Sequence, residues 1–183
     1  MAAANWFRYA YLAHLSRPQS SRQLYRLIKR NRVSRIVEIG ISDVSRAVAR
    51  IEVAQRFAEG EKVCHTGLDW FDARPPHLSP LTVKEAYRAL HATGVNIRLV
   101  PGCPGRSLAG IANAHQNTDL ILIASSVSDD ELKAAWFYVP RMLHAESVIL
   151  RECQHPGGEP SFEQLTRTQI AEWAAEASTR RAA

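Results

Sequence analysis

The segment that most constrains the fold is Arg35-Ile-Val-Glu-Ile-Gly-Ile-Ser-Asp-Val-Ser45. A short β-branched run ends at Gly40, and a Ser/Asp cluster then opens a helical pattern. This order predicts a buried parallel strand that turns tightly into a helix. Glu38 precedes the glycine, so we expect it near the carboxyl end of the strand, where open α/β sheets bind ligands.

Strand-like and helix-like runs alternate along the rest of the chain. Strands are predicted at 35–40, 62–69, 96–101, 119–124 and 147–152. Helices are predicted at 4–15, 21–31, 43–58, 81–92, 106–114, 129–144 and 162–177. The alternation predicts an α/β fold, a three-layer sandwich around a mostly parallel, five-stranded, Rossmann-like sheet.

The length of 183 residues suits a single α/β domain with a sizeable core. Within it we expect a helical layer over 1–34, a Rossmann-like core over 35–152, and a C-terminal helix and tail over 153–183. No apolar run is long enough for a membrane span, and no signal-peptide layout is recognisable. The three cysteines form no CxxC pair, which argues against a zinc site. We therefore expect a cytoplasmic protein without a metal ion.

Positive charge is concentrated at the start of the sequence. Eight basic residues and no acid precede Glu38, whereas the remainder carries 15 basic and 18 acidic residues. Such asymmetry can mark a contact surface for RNA or another polyanion. The alternative is a solvated face whose side-chain stems cover apolar surface, which the lack of an RNA-binding motif favours. The candidate contacts on the second helix are Arg22, Arg26, Lys29 and Arg30.

Five segments, in their order, resemble the class I S-adenosylmethionine-dependent methyltransferases over about residues 20–152. They are Val37-Glu-Ile-Gly40, Gly67-Leu-Asp-Trp70, Val100-Pro-Gly-Cys103, Thr118-Asp-Leu-Ile-Leu-Ile-Ala124 and Tyr138-Val-Pro-Arg-Met-Leu143. The resemblance implies that S-adenosylmethionine binds at the carboxyl ends of the first three strands. The implied cofactor contacts are Glu38, Gly40, Ser42, Asp69 and Trp70, with Gly102 and Cys103 on the adenine side.

The residues themselves support part of this assignment. A carboxylate at the end of the second strand, Asp69, can accept hydrogen bonds from both hydroxyls of a ribose. Gly40 has no Cβ, so a ligand can approach its backbone closely. No G-x-G-x-x-G motif is present, which argues against a nicotinamide cofactor. Each acid also has a purely structural interpretation, because Glu38 could pair with an arginine and Asp69 could cap a turn.

The chain also departs from the pattern of the family. Ser42 and Ser45 stand where further glycines are usual, and Cys103 stands where an acid is common. The segment after the fourth strand lacks the Asp of metal-dependent members, and the C-terminal hairpin is expected to be missing. These departures favour the alternative of a catalytically inactive methyltransferase-fold protein that binds RNA or another protein through its basic helices. No catalytic residue or methyl acceptor can be assigned.

Two further expectations remain open. A flavodoxin-like protein could bind an anion at the helix start of 42–44, although this leaves Asp69 and Gly102 unexplained. A sheet without its edge hairpin exposes an unpaired strand, which favours a homodimer unless the C-terminal helix covers that strand.

Overall fold

A computed structural model describes the backbone of residues 2–182 and the side chains of residues 7–180. The strands are β1 (Arg35–Ile39), β2 (Cys64–Asp69), β3 (Asn96–Pro101), β4 (Thr118–Ile123), β5 (Leu143–Cys153) and β6 (Ser161–Gln164). The helices are α1 (Ala2–His14), α2 (Gln19–Arg30), α3 (Val44–Phe57), α4 (Val83–His91), α5 (Pro104–Ile111), α6 (Asp129–Leu132) and α7 (Arg167–Ala182). None of the helices in these residues is long and apolar enough to cross a bilayer.

The six strands form one sheet in the order β3-β2-β1-β4-β5-β6. The first five strands are parallel, as predicted. Successive strands are added on one side of β1 up to β3 and on its other side from β4 onwards, so the strand order reverses between β1 and β4. β6 pairs antiparallel with β5 and was not predicted. The sheet therefore has one strand more than the five predicted, and this antiparallel strand covers the edge at which the last two strands of the family were expected to be missing.

Helices cover both faces of the sheet, which confirms the three-layer architecture. On one face, α1 to α4 pack over side chains such as Ile36 of β1 and Leu120 of β4. On the other face, α5, α6, α7 and several 3-10 turns pack over Val37, Ile39 and Ile121. This alternation of neighbouring residues between faces follows from the pleat of the strands. It explains why β1 and β4 read as continuous apolar runs.

The helices differ from the prediction mainly after β4. The helix predicted at 129–144 is the short α6 followed by 3-10 turns at Ala135–Phe137 and Val139–Met142. Pro140 lacks the amide hydrogen that an α-helix would need at that position. The last helix begins at Arg167 rather than near Phe162, because Phe162 belongs to β6 and packs against the core.

The start of α5 packs tightly against α6. A Cβ added at Gly105 would lie 1.9 Å from the Glu131 carbonyl oxygen, whereas one added at Gly110 of the same helix would meet nothing within 4 Å. We predict that Gly105→Ala lowers the free energy of unfolding by about 1–3 kcal/mol through overpacking. Gly110→Ala should raise it by roughly 0.4–1 kcal/mol, because alanine restricts the unfolded chain.

Urea unfolding followed by circular dichroism measures both variants. Similar effects of the two substitutions, in either direction, would show that α5 does not pack on α6 in this way.

Candidate cofactor site at the carboxyl edge of the sheet

The carboxyl ends of β1, β2, β3 and β4 meet at one edge, with the topological switch between β1 and β4. Ligands of doubly wound sheets bind outside such a switch point. All seven residues predicted to contact a cofactor lie on or directly after β1, β2 or β3. The structure therefore brings them to one edge, but it divides them among separate hydrogen-bond networks.

Glu38 lies beneath α3 and is 3% exposed. Its carboxylate forms an ion pair with Arg50 of α3 and lies 3.0 Å from His65 Nε2 on β2. Burial by itself raises the pKa of Glu38, but the positive charge of Arg50 and the His65 hydrogen bond outweigh it, so the pKa is below its usual range. The carboxylate thus faces the helix layer and is neutralised there.

Asp69, at the end of β2, accepts hydrogen bonds on both carboxylate oxygens. Oδ1 accepts from the Phe71 amide at 2.9 Å and from Arg74 Nε at 2.7 Å. Oδ2 accepts from the Ile41 amide at 2.7 Å and from Arg74 Nη2 at 2.8 Å. A carboxylate offers about four acceptor positions, so Asp69 has none left for a ribose. We call this arrangement, in which Arg74 Nη2 also donates to the Ile41 carbonyl at 2.5 Å, the Arg74 clasp.

The turn after β1 is packed against the turn after β4. Gly40 has a φ of +78°, the left-handed conformation that glycine adopts readily. A Cβ at this position would lie 2.7 Å from Val127 Cγ2 and 2.9 Å from Ala124 Cβ. In this structure, the close approach that requires glycine is therefore made by the protein itself.

Glu131 of α6 accepts hydrogen bonds from side chains that follow β2 and β3. Its Oε1 accepts from Trp70 Nε1 at 3.2 Å and, more weakly, from Cys103 Sγ at 3.7 Å. Its other oxygen caps Ser128 in a capping box. Burial favours a higher pKa for Glu131, but the hydrogen bonds of Ser128 and then of Trp70 and Cys103 hold the pKa below its usual range. Gly102, with a φ of +124°, makes the turn that leads into Cys103.

Ser42 belongs to a third network, centred on Glu152 of β5. Ser42 Oγ donates to Glu152 Oε2 at 3.0 Å, and Ser125 Oγ does so at 3.3 Å. Arg46 of α3 contacts the other oxygen at 3.1 Å, which neutralises this buried acid. Asp43 next to Ser42 caps α3, because its side chain accepts from the amides of Ser45 and Arg46.

These networks leave little space in the crevice between β1 and β4. The cavity beside Glu38, Gly40 and Arg50 measures about 10 Å³, which is room for about one water molecule. Pockets for small-molecule cofactors typically measure about 300–1,000 Å³. A larger polar groove of about 650 Å³ lies over the ends of β4 and β5, bordered by Ser126, Asp129 and Cys153. An adenosyl group therefore does not fit the crevice in this conformation.

Comparison with known proteins identifies the fold. No family model matches the sequence, and no curated protein matches it. The O-methyltransferase from Bacillus cereus, solved in complex with SAH, superposes with a TM-score of 0.53 at 16% identity, over 100% of this chain and 77% of that chain. Cofactor-bound Rv0187 from MTB superposes with a TM-score of 0.52 at 18% identity, over 97% of this chain and 75% of that chain.

The chain has the class I methyltransferase fold. The sequence resemblance is thereby confirmed at the level of the fold. The roles of the seven residues as cofactor contacts stay a prediction.

Several residues that shape this edge of the methyltransferase fold were not singled out by sequence reasoning. The arginine partners of Glu38 and Asp69 are separated from them by 12 and 5 positions, and no motif links them. Glu131 had a usable signal, because Ser128-x-x-Glu131 is a capping-box pattern. In the described residues, no group of three or more His, Cys, Asp or Glu side chains is arranged to hold a metal ion.

The basic residues of α2 do not converge on a single groove of the methyltransferase fold. Arg22 and Arg26 donate to backbone carbonyls, at 2.6 Å to Ser16 and at 3.3 Å to Arg22. Arg30 donates to the side chain of Asn31 at 3.2 Å. Lys29 Nζ lies 5.0 Å from the ring centroid of Tyr9 and 5.1 Å from that of Phe57. Contact with RNA or a polyanion through these side chains stays a prediction.

The buried network of Glu38 predicts an acid-sensitive component of stability. Because folding lowers the pKa of Glu38, this contribution is present above the pKa of the unfolded chain and is lost as pH falls through the folded pKa. Glu38→Gln should lower the free energy of unfolding at neutral pH by about 3–5 kcal/mol, since Arg50 stays buried without its counter-ion. It should also flatten the dependence of stability on pH in the acidic range.

Urea unfolding from neutral pH to about pH 3 measures both effects. The matched control is Glu172→Gln, which removes an exposed carboxylate of α7. If both variants had the pH dependence of the unsubstituted protein, the Glu38 network would not set its acid sensitivity.

Proposed function

We propose that the chain is an S-adenosylmethionine-dependent methyltransferase-like protein with an acceptor still to be identified. The cofactor would bind at the carboxyl ends of β1, β2 and β3, where sequence reasoning put Glu38, Gly40, Ser42, Asp69 and Trp70. Gly102 and Cys103 would lie towards its adenine. The SAH complex of the Bacillus cereus O-methyltransferase supports the cofactor class, since that protein shares the fold.

The observation that carries the proposal is the position of Asp69. Its carboxylate stands at the end of β2 and accepts from the Ile41 amide in the turn after β1 at 2.7 Å. It thereby links the ends of β1 and β2, which would bind the methionine part and the ribose of the cofactor. Asp69 is 3% exposed, so a ligand that replaced the Arg74 donors would find a desolvated, charged acceptor.

Cofactor binding at this position requires the Arg74 clasp to open. Arg74 would have to withdraw two charged hydrogen bonds from Asp69 and one from the Ile41 carbonyl. Hydrogen bonds to charged groups contribute about 1.5–3 kcal/mol each. The open state is therefore the minor one, and the apparent affinity for the cofactor falls in proportion to its population.

A second candidate function has its own supporting observation. The four donors on Asp69 leave it no free acceptor position, and the cavity of about 10 Å³ leaves no space for a cofactor. On this alternative, the chain is a catalytically inactive binding or scaffold protein. The two candidates differ in one measurable property, the affinity for SAH once the clasp is removed.

Isothermal titration calorimetry with SAH tests the proposal. We predict that Arg74→Ala binds SAH at least about tenfold more tightly than the unsubstituted chain, because the cofactor no longer competes with the guanidinium. Asp69→Ala should bind at least about tenfold more weakly, because it removes the ribose acceptor. Arg88→Ala, which removes an exposed arginine of α4, is the matched control and should leave the affinity unchanged.

Circular dichroism and thermal melting establish that each variant is folded, since removing Arg74 leaves Asp69 buried without its ion-pair partner. Arg74→Lys, which keeps a positive charge, replaces Arg74→Ala if the alanine variant unfolds. Absence of SAH binding in every folded variant would reject the methyltransferase proposal and favour the inactive module.

A further inference from the structure

The amino-terminal half of one sheet face is left uncovered. α5 packs on this face from the carboxyl end of the strands, where it lies over Leu68 and Val100. Its eight residues span about 12 Å, whereas the six residues of β3 extend over about 20 Å. The chain then turns through Ala112–Ala114 to His115 and enters β4. A groove of about 580 Å³ remains over the amino ends of β1, β2 and β3, and we call it the amino-edge groove.

The floor of the amino-edge groove is polar. Arg35, Cys64 and Asn96 are register partners on the three neighbouring strands, and Thr66 and Arg98 follow two residues further along β2 and β3. Residues two apart on a strand point to the same face, so all five side chains line the groove. The same face is apolar under α5, so the polarity changes where the covering helix ends.

The groove has an excess of positive charge. Arg35, Lys62 and Arg98 line it, against a single carboxylate, Glu61. Glu61 is already engaged, since it accepts from Ser34 Oγ at 2.7 Å. Arg98 has no hydrogen bond or ion pair from its guanidinium to any residue that the structure describes. A guanidinium with five free donors is a good partner for a phosphate or a carboxylate.

The pKa of His115 is affected by the positive charges in the groove. The imidazole is half-buried at the wall of the groove, with Nε2 at 3.3 Å from Thr66 Oγ1. Burial lowers the pKa of His115, and the positive charges of Arg98 and Arg35 lower it further. Both arginines therefore act on the same point of the groove, where a bound anion would relieve their repulsion.

We propose that the amino-edge groove binds a small phosphate-bearing molecule, with Arg98 and Arg35 as its charge partners and Thr66 and Asn96 as further hydrogen-bonding groups. The volume of about 580 Å³ suits a ligand of nucleotide size. A longer nucleic acid is disfavoured because no Phe, Tyr or Trp lines the groove to stack on bases. The basic residues of α2 lie on the opposite face of the sheet and do not extend this surface. The proposal is independent of cofactor binding at the carboxyl edge.

Calorimetric titration with pyrophosphate and with AMP tests the proposal at low ionic strength, and adenosine is the uncharged comparison. We predict that pyrophosphate and AMP bind and adenosine does not. Arg98→Gln should weaken the binding of pyrophosphate at least about tenfold, because it removes the unpaired guanidinium. Arg88→Gln, at an exposed arginine of α4 on the other face, changes the net charge equally and should leave binding unchanged.

A titration of the His115 imidazole by NMR locates the ligand. Bound pyrophosphate should raise the pKa of His115, since a nearby anion favours the imidazolium. Equal weakening by Arg98→Gln and Arg88→Gln, or an unchanged His115 titration, would overturn the proposal in favour of diffuse charge attraction. Binding of a single-stranded oligonucleotide without binding of pyrophosphate or AMP would also overturn it.

Discussion

Three carboxylates are buried near the carboxyl edge of this sheet, and each has its own arginine. The pairs are Glu38 with Arg50, Asp69 with Arg74, and Glu152 with Arg46. A carboxylate removed from water without a counter-ion costs several kcal/mol, so these contacts fix where α3 and the turn after β2 can lie. Two of the three arginines come from α3, one turn apart, which orients that helix over β1. The positions of α3 and of the turn after β2 at this edge follow from this neutralisation.

The same pairs restrict how the edge can be used. In the Arg74 clasp, the protein itself supplies hydrogen-bond donors to Asp69, which are the donors that the ribose of the proposed cofactor would have to replace. Val127 likewise fills the space above Gly40 that a cofactor could occupy. If the cofactor binds at this edge as we propose, its binding would therefore compete with these stabilising contacts for the same atoms. On this proposal, the chain would bind the cofactor only by losing the stability that the Arg74 contacts provide.

The sequence was sufficient for the parallel sheet and insufficient for its edge contacts. Buried parallel strands appear as short β-branched runs such as that ending at Gly40, and the alternation with helices fixed the layers. β6 was not predicted because its four residues include one large apolar side chain, Phe162, and so show too little hydrophobic periodicity. Glu38 could be placed in a buried strand with an arginine as one possible partner, but Arg74 lies in a Pro-rich loop. Its contact with Asp69 depends on how that loop folds back.

The two ends of the sheet differ in how their charges are balanced. At the carboxyl edge, acids come from the strands and arginines from α3 and the loop after β2, so local charge cancels inside the fold. At the amino edge, Arg35 and Arg98 come from the strands themselves, and the loops that line the groove contribute His115, Lys62 and a single acid, Glu61. Arg35 donates to the uncharged Gln116 carbonyl at 3.0 Å, and Glu61 accepts from Ser34 at 2.7 Å. The amino edge therefore retains a charge that folding does not neutralise, and an external anion is the partner that would balance it.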